Sequence, residues 1–170
     1  MHKQRNDIVK GLHAHVGVNV VPTDTADRKP KYPYMSYKII TSHDSNTFSL
    51  VDAVVPSTTS GFEHDVKVTS KEQAHFTMSV NAYSLDEDEA HNLAAKAADW
   101  FKFHGYHYLV GCNIVVISVG SVADRTAQIV DDYERRYGFD VRIRAARGIT
   151  KRVETIESHN IIGTLNRPRK

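Results

Sequence analysis

The chain has 170 residues, 41% hydrophobic and 25% charged, which suits one soluble globular domain long enough to bury a core without staples. Twenty-two Lys and Arg against twenty Asp and Glu leave a formal net charge of +2, which argues against a dedicated nucleic-acid binder, since those carry a larger basic excess. The lone Cys112 excludes an internal disulfide, no apolar run approaches the ~18 residues of a membrane span, and MHKQRNDIVKG has no apolar core of signal-peptide length, so synthesis in a cytoplasm is expected.

In chain order, Asp7 to Val16 reads as a short amphipathic helix, with Ile8, Leu12 and Val16 spaced by four. VPTDTADRKPKYP is polar and holds three prolines, so a flexible loop is expected over about 22–33. YMSYKIIT, from Tyr34 to Thr41, is rich in β-branched and aromatic residues and predicts a strand. The stretch 42–60 is weakly patterned and suits a hairpin arm plus a flexible loop.

Phe62, His64, Val66 and Val68 alternate with Glu63, Asp65 and Lys67, and Phe76, Met78, Val80 and Ala82 alternate with polar neighbours. With VTSKEQ read as a turn, these become two half-buried strands of an antiparallel hairpin. Ser84-Leu85-Asp86-Glu87 has the form of a capping box, followed by acids on the positive end of a helix dipole. Ala90, Leu93, Ala94, Ala97, Trp100, Phe101 and His104 keep a 3–4 spacing, so one long helix is predicted over about 85–105, with Gly105 as a left-handed terminator. The alanines suggest close approach to a sheet. NIVVISV, residues 113–119, predicts an apolar, central strand.

YERRYGFDVRIRAARG, residues 133–148, carries five arginines. A helical reading groups Ile129, Tyr133 and Tyr137. A strand reading is longer: Tyr133, Tyr137, Phe139, Val141, Ile143 and Ala145 share one face, with only Arg135 intruding. Asp132, Glu134, Arg136, Gly138, Asp140, Arg142 and Arg144 share the other. Gly138 is poor in mid-helix, so a long strand from about Asp131 is expected. The outward face mixes signs, which suits pairing between strands or subunits better than phosphate.

Charge is uneven along the chain. Residues 142–170 hold eight basic and two acidic side chains, a net +6, whereas 86–99 hold five acidic and one basic, a net −4. Opposite patches permit head-to-tail contact between copies. Ten histidines call for a metal check, but His13-x-His15 on a helix points two ways and His104-x-x-His107 has no third ligand at suitable spacing. Cys112 has no sequence-local partner to mark it as a nucleophile. Nothing local points to catalysis, a metal or a cofactor.

DDYERRYGFDVRIR, from Asp131 to Arg144, resembles a signature of neck or tail terminator proteins of tailed bacteriophages. KYPYMSYKI, with Pro-Tyr-x-x-Tyr entering the first strand, and TKRVETIESHNI, from Thr150 to Ile161, are similar to other segments of that family, as is the order of elements. The resemblance covers the chain up to about Leu165.

It implies a structural virion protein made in the bacterial host's cytoplasm: a homo-oligomeric ring, usually hexameric, that caps the tail tube and meets the head–tail connector. DNA would pass through the centre, touched transiently and without sequence preference. It further implies Arg135, Arg136, Tyr137, Asp140, Arg142 and Arg144 at or near a subunit contact, and Arg147, Lys151 and Arg152 facing a partner or the pore. The alternative is a small nucleic-acid-binding or regulatory domain using the basic C-terminal third.

The expected fold is α+β in one domain over 1–170: a mostly antiparallel sheet, one long helix, an N-terminal helix packed on one face, and a flexible tail over about 163–170.

Overall fold

A computed structural model describes residues 2–24, 29–44, 48–129 and 132–154. The fold is α+β. Helix α1 (His2–Val16) leads to strands β1 (Val20–Pro22), β2 (Tyr34–Asp44), β3 (Phe48–Pro56) and β4 (His64–Ser84). Helix α2 (Glu87–Asp99), a π-helical turn (Trp100–His104) and helix α3 (Tyr106–Gly111) follow. Strands β5 (Ile114–Val119), β6 (Ala123–Asp124), β7 (Ala127–Ile129) and β8 (Asp132–Glu154) close the described chain.

The sheet runs β1-β2-β4-β8-β5, with β3 also paired to β4, and β6 and β7 to β8. β1 lies parallel to β2, while β2 is antiparallel to β4 and β5 to β8. Across β4 and β8, Thr69 meets Thr150, Glu72 meets Arg147 and Asn81 lies against Gly138. One number rises as the other falls, so this pair is antiparallel too.

The described chain forms two compact units. The large one joins residues up to 48 with 72–147, and the small one joins 49–71 with 148–154. In the large unit Ile8, Leu12 and Val16 of α1 and Ala94, Ala97 and Ala98 of α2 form one buried cluster with Met35, Phe76, Met78, Val80, Phe139, Val141 and Ile143 of the sheet. Inward residues alternate along β4 and β8 as pleated backbone requires. The strand reading of the arginine-rich segment therefore holds, and β8 continues past Ala146 to Glu154.

Four expectations need correction. First, 62–83 is not a hairpin: His64–Ser84 is a single strand. VTSKEQ contains no Gly, Pro or Asn to reverse the chain, and even-numbered positions keep their phase straight through it. Nor does the Phe62–His64 face turn inward: both are exposed, and Asp65 is buried instead.

Second, NIVVISV is not central; β5 ends the path, and only Ile114 is fully buried. Third, the helix expected over about 85–105 is present, α2 running directly into the π-helical turn that ends at His104, but its cap is not the expected one. Asp86, not Ser84, is the N-cap: its carboxylate accepts the Glu89 amide at 2.8 Å, while Ser84 Oγ accepts the Asp86 amide at 3.1 Å and donates to the Glu89 carboxylate.

Fourth, Gly105 is not left-handed: its φ is −82°. It is glycine because a Cβ would lie 2.6 Å from the Trp100 ring and 2.9 Å from the Trp100 carbonyl. The π-helical turn brings that ring against the backbone, and a further short helix, α3, resumes beyond it.

The weakly patterned 42–60 region holds the end of β2 and the nine-residue β3. Residues 25–28, 130–131 and the expected tail, 163–170, lie outside the described residues, as does most of the segment 150–161.

Candidate assembly surface

The arginine-rich strand presents its two faces to different surroundings. On the inward side, β8 is tied to the start of α2. Tyr137 Oη donates to Glu87 Oε1 at 2.8 Å, Arg135 lies 3.8 Å from the same carboxylate, and the His91 ring stands edge-on to Tyr137 at 5.2 Å. The hydrogen bond to Glu87 pushes the Tyr137 phenol above its ordinary pKa.

The outward side carries a hub that sequence reasoning missed. Arg125, between β6 and β7, donates to Ser79 Oγ at 2.8 Å, Asn81 Oδ1 at 3.0 Å and Asp140 Oδ1 at 3.1 Å. Ser79 and Asn81 sit on β4 and Asp140 on β8, so one guanidinium spans two adjacent strands. Gly138 makes this possible: a Cβ there would lie 2.2 Å from Asn81 Oδ1 and 2.7 Å from the Val80 carbonyl.

Arg136 completes the arrangement with its Nε donating to the Arg125 carbonyl at 2.8 Å, while the Arg125 amide donates to the Arg136 carbonyl at 2.7 Å. Asp124 accepts the Thr126 amide at 2.8 Å, and its hydrogen bonds with Thr126 hold its carboxyl below the usual range.

Beside the hub, Glu134 accepts from Lys29 and, at 2.9 Å, from the Tyr32 hydroxyl. Burial opposes the Lys29 charge, yet its hydrogen bonds with Glu134 and Tyr32 outweigh burial and raise its pKa. Tyr34 stacks on Tyr83 with centroids 4.7 Å apart, and burial, then the Glu134 carboxylate, pushes the Tyr34 phenol upward. This part of the outward face is a satisfied polar layer of mixed sign.

Further along β8 the picture changes. Arg142 and Arg144 are exposed and have no ion-pair partner among the described residues. Their register partners on β5 are Ser118 and Val115, and Val115 and the neighbouring Ile117 are also exposed. Arg147 pairs with Glu72 at 3.3 Å. In the small unit Arg152 reaches buried Asp65 at 3.3 Å and the Pro56 carbonyl at 3.3 Å, and Lys151 is exposed.

Of the six residues expected near a contact, Arg135, Arg136, Tyr137 and Asp140 therefore hold contacts within the chain. Arg142 and Arg144 face outward beside an apolar strand.

His15 stacks on His104 at 5.3 Å, and Cys112 is half-buried. Among the described residues no three His, Cys, Asp or Glu gather as a metal site would require. Among the described residues the arrangement is one of packing and ion pairing beside a strand, β5, that ends the sheet path.

A family model for phage neck terminator proteins matches residues 6–167, nearly the whole chain. No curated protein matches it. A sheet of mixed-sign faces, an apolar edge and a family match of this extent agree, and the chain belongs to the phage neck terminator family, structural proteins of the virion that work with other head and tail proteins.

Proposed function

We propose that this protein, made in the host cytoplasm, assembles with copies of itself into a ring of six. The ring caps the tail tube and joins it to the head connector. DNA passes through the ring and touches it transiently, without sequence preference. Arg142 and Arg144 lie at or beside the subunit contact. Arg135, Arg136, Tyr137 and Asp140 fix the strand that presents them, and Lys151 faces a partner or the pore.

One observation carries this reading. Leu50, Val51, Val54, Phe62, Ile149 and Val153 of the small unit are all 38–69% exposed, and among the described residues of that unit Asp65 is the only buried side chain. Large apolar groups gathered in one uncovered region mark a surface that another protein covers. Two unlike surfaces on one chain make a head-to-tail contact, and such contacts close into rings when the rotation permits.

The nucleic-acid reading is weakened because Arg147 and Arg152 are already paired with carboxylates.

Joining of purified tails to heads tests the proposal. Arg142→Glu with Arg144→Glu is expected to keep the thermal midpoint while lowering joining at least tenfold; normal joining would remove these residues from the contact. Arg136→Glu is a poorer probe, since Arg136 anchors the Arg125 carbonyl and its loss affects the fold. DNA binding should fall steeply with salt. Nanomolar binding at physiological salt would return the nucleic-acid reading.

A further inference from the structure

β5 is an edge strand of unusual openness. Among the described residues it is hydrogen-bonded to β8 alone, so its other backbone edge has no strand beside it. It carries no charge and no proline, the devices that ordinarily blunt such an edge. Val115 and Ile117 are 39% and 45% exposed.

A groove runs along this edge. All six β5 residues form one wall, and Phe101, Lys102, Tyr106, Leu109 and Val110, from the π-helical turn and α3, form the other. When consecutive residues of a strand, pointing to both faces, line one groove, the groove follows the backbone edge. That is the geometry which receives an added strand.

A strand suited to it begins at Phe48 and runs on through the small unit. β3, FSLVDAVVP, is paired to β4 alone among the described residues, and its side chains are exposed along almost its whole length. Phe48, Leu50 and Val54 project on one face with Asp52 between them, each apolar group at least 62% exposed. The groove offers Lys102, and across β5 from the open edge stand the exposed Arg142 and Arg144. Charge thus complements charge around an apolar centre. β3 spans ~30 Å at ~3.3 Å per residue, enough to cover the ~20 Å of β5.

We infer that β3 of one copy pairs along the free edge of β5 in the next copy, with its apolar side chains in the groove between β5 and α3. This rests on the ring reading and identifies which two surfaces meet. Because the surfaces differ, a growing chain of copies always keeps one free β3 and one free β5 edge at its two ends, and the contact propagates until the ring closes.

Two variants test it, Ile117→Asp in β5 and Leu50→Asp in β3. Both replace exposed residues, so each should keep the wild-type circular dichroism and thermal midpoint, confirming that folding is intact. Assembly is read by native mass spectrometry and negative-stain imaging, alone and on purified tails. Each variant by itself should form no ring, alone or on tails. Mixed one to one, the two should form a dimer and stop there, because only one intact β3 and one intact β5 edge can meet.

Rings formed by either variant alone would overturn this pairing and leave the ring reading standing. A Leu50→Asp self-dimer abolished by adding Ile117→Asp would also overturn it, showing β5 paired to β5. Failure of the wild type to form rings either alone or on tails would defeat the ring reading, and this inference with it.

Discussion

The two units use the same kinds of residue in opposite ways. In the large unit Phe139, Met78, Val80 and Ile143 are 0% exposed, whereas in the small unit Leu50 and Val54 are 62% and 69% exposed. Yet β4 and β8 contribute strand to both. Pleat alternation decides which residues share a face; it does not decide whether that face has cover. Only covered faces gain the ~25 cal/mol per Å2 that apolar burial supplies. The large unit collects that stabilisation within the chain, and the small unit holds apolar area on which a partner can still draw.

The contrast can be broken or sharpened by experiment. Phe139, fully buried and edge-on to Phe101 at 6.0 Å, belongs to the core of the large unit. Phe139→Ala is expected to cost about 3–5 kcal/mol in urea unfolding; a loss below 1 kcal/mol would mean that this core is not what holds the unit. Gly138→Ala sets a methyl against the Val80 carbonyl, which as backbone cannot swing aside. It should cost about 1–3 kcal/mol in the same assay and disturb the Arg125 contacts.

Asp65 is the counterpart test in the small unit, where it accepts from Ser57 Oγ at 3.0 Å, the Thr58 amide at 3.3 Å and Arg152. Asp65→Ala leaves those donors unmatched, an effect of about 1–3 kcal/mol. Hydrogen exchange should speed at Thr58 and neighbouring amides, with protection in the large unit unchanged; uniform loss would show the two units unfolding as one.

The smallest effect concerns pH. Burial, then His104 and Lys96, lowers the His15 pKa below 6.5. The unfolded chain therefore takes up this proton first as pH falls. Stability from this pair is complete above pH 6.5 and declines below it, down to the folded-state pKa. Thermal midpoints at pH 7.5 and 5.5 should show the decline, and His104→Gln should shrink it.

How far the sequence revealed this depended on whether the deciding signal was local. The strand at 132–145 was legible because Phe139, Val141, Ile143 and Ala145 alternate with charged or polar residues in one unbroken run. The α2 core face was legible from the spacing of its alanines. The hairpin reading of 62–83 failed because polarity at VTSKEQ imitated a turn, although period and phase were continuous across it. β5 was misplaced for a different reason: an apolar run looks the same in a central strand and in one that ends the sheet path.

The Arg125 hub could not be found from sequence. It lies in SVADRTAQ, which has no periodicity, and two of its partners are 44 and 46 positions away. Outward-facing arginines were expected correctly, but whether a guanidinium meets a backbone carbonyl, as at Arg136, or no carboxylate among the described residues, as at Arg142, is decided by tertiary neighbours.

The small unit is stitched from two stretches separated by 76 residues of the large one, 72–147. No single cut can therefore excise it, and it cannot be lifted onto another scaffold as a cassette. Stopping translation after Arg147 would remove the β8 portion while leaving β3 and the β4 portion attached. A single recombination junction therefore cannot exchange this unit whole, whereas point substitution can retune what it contacts.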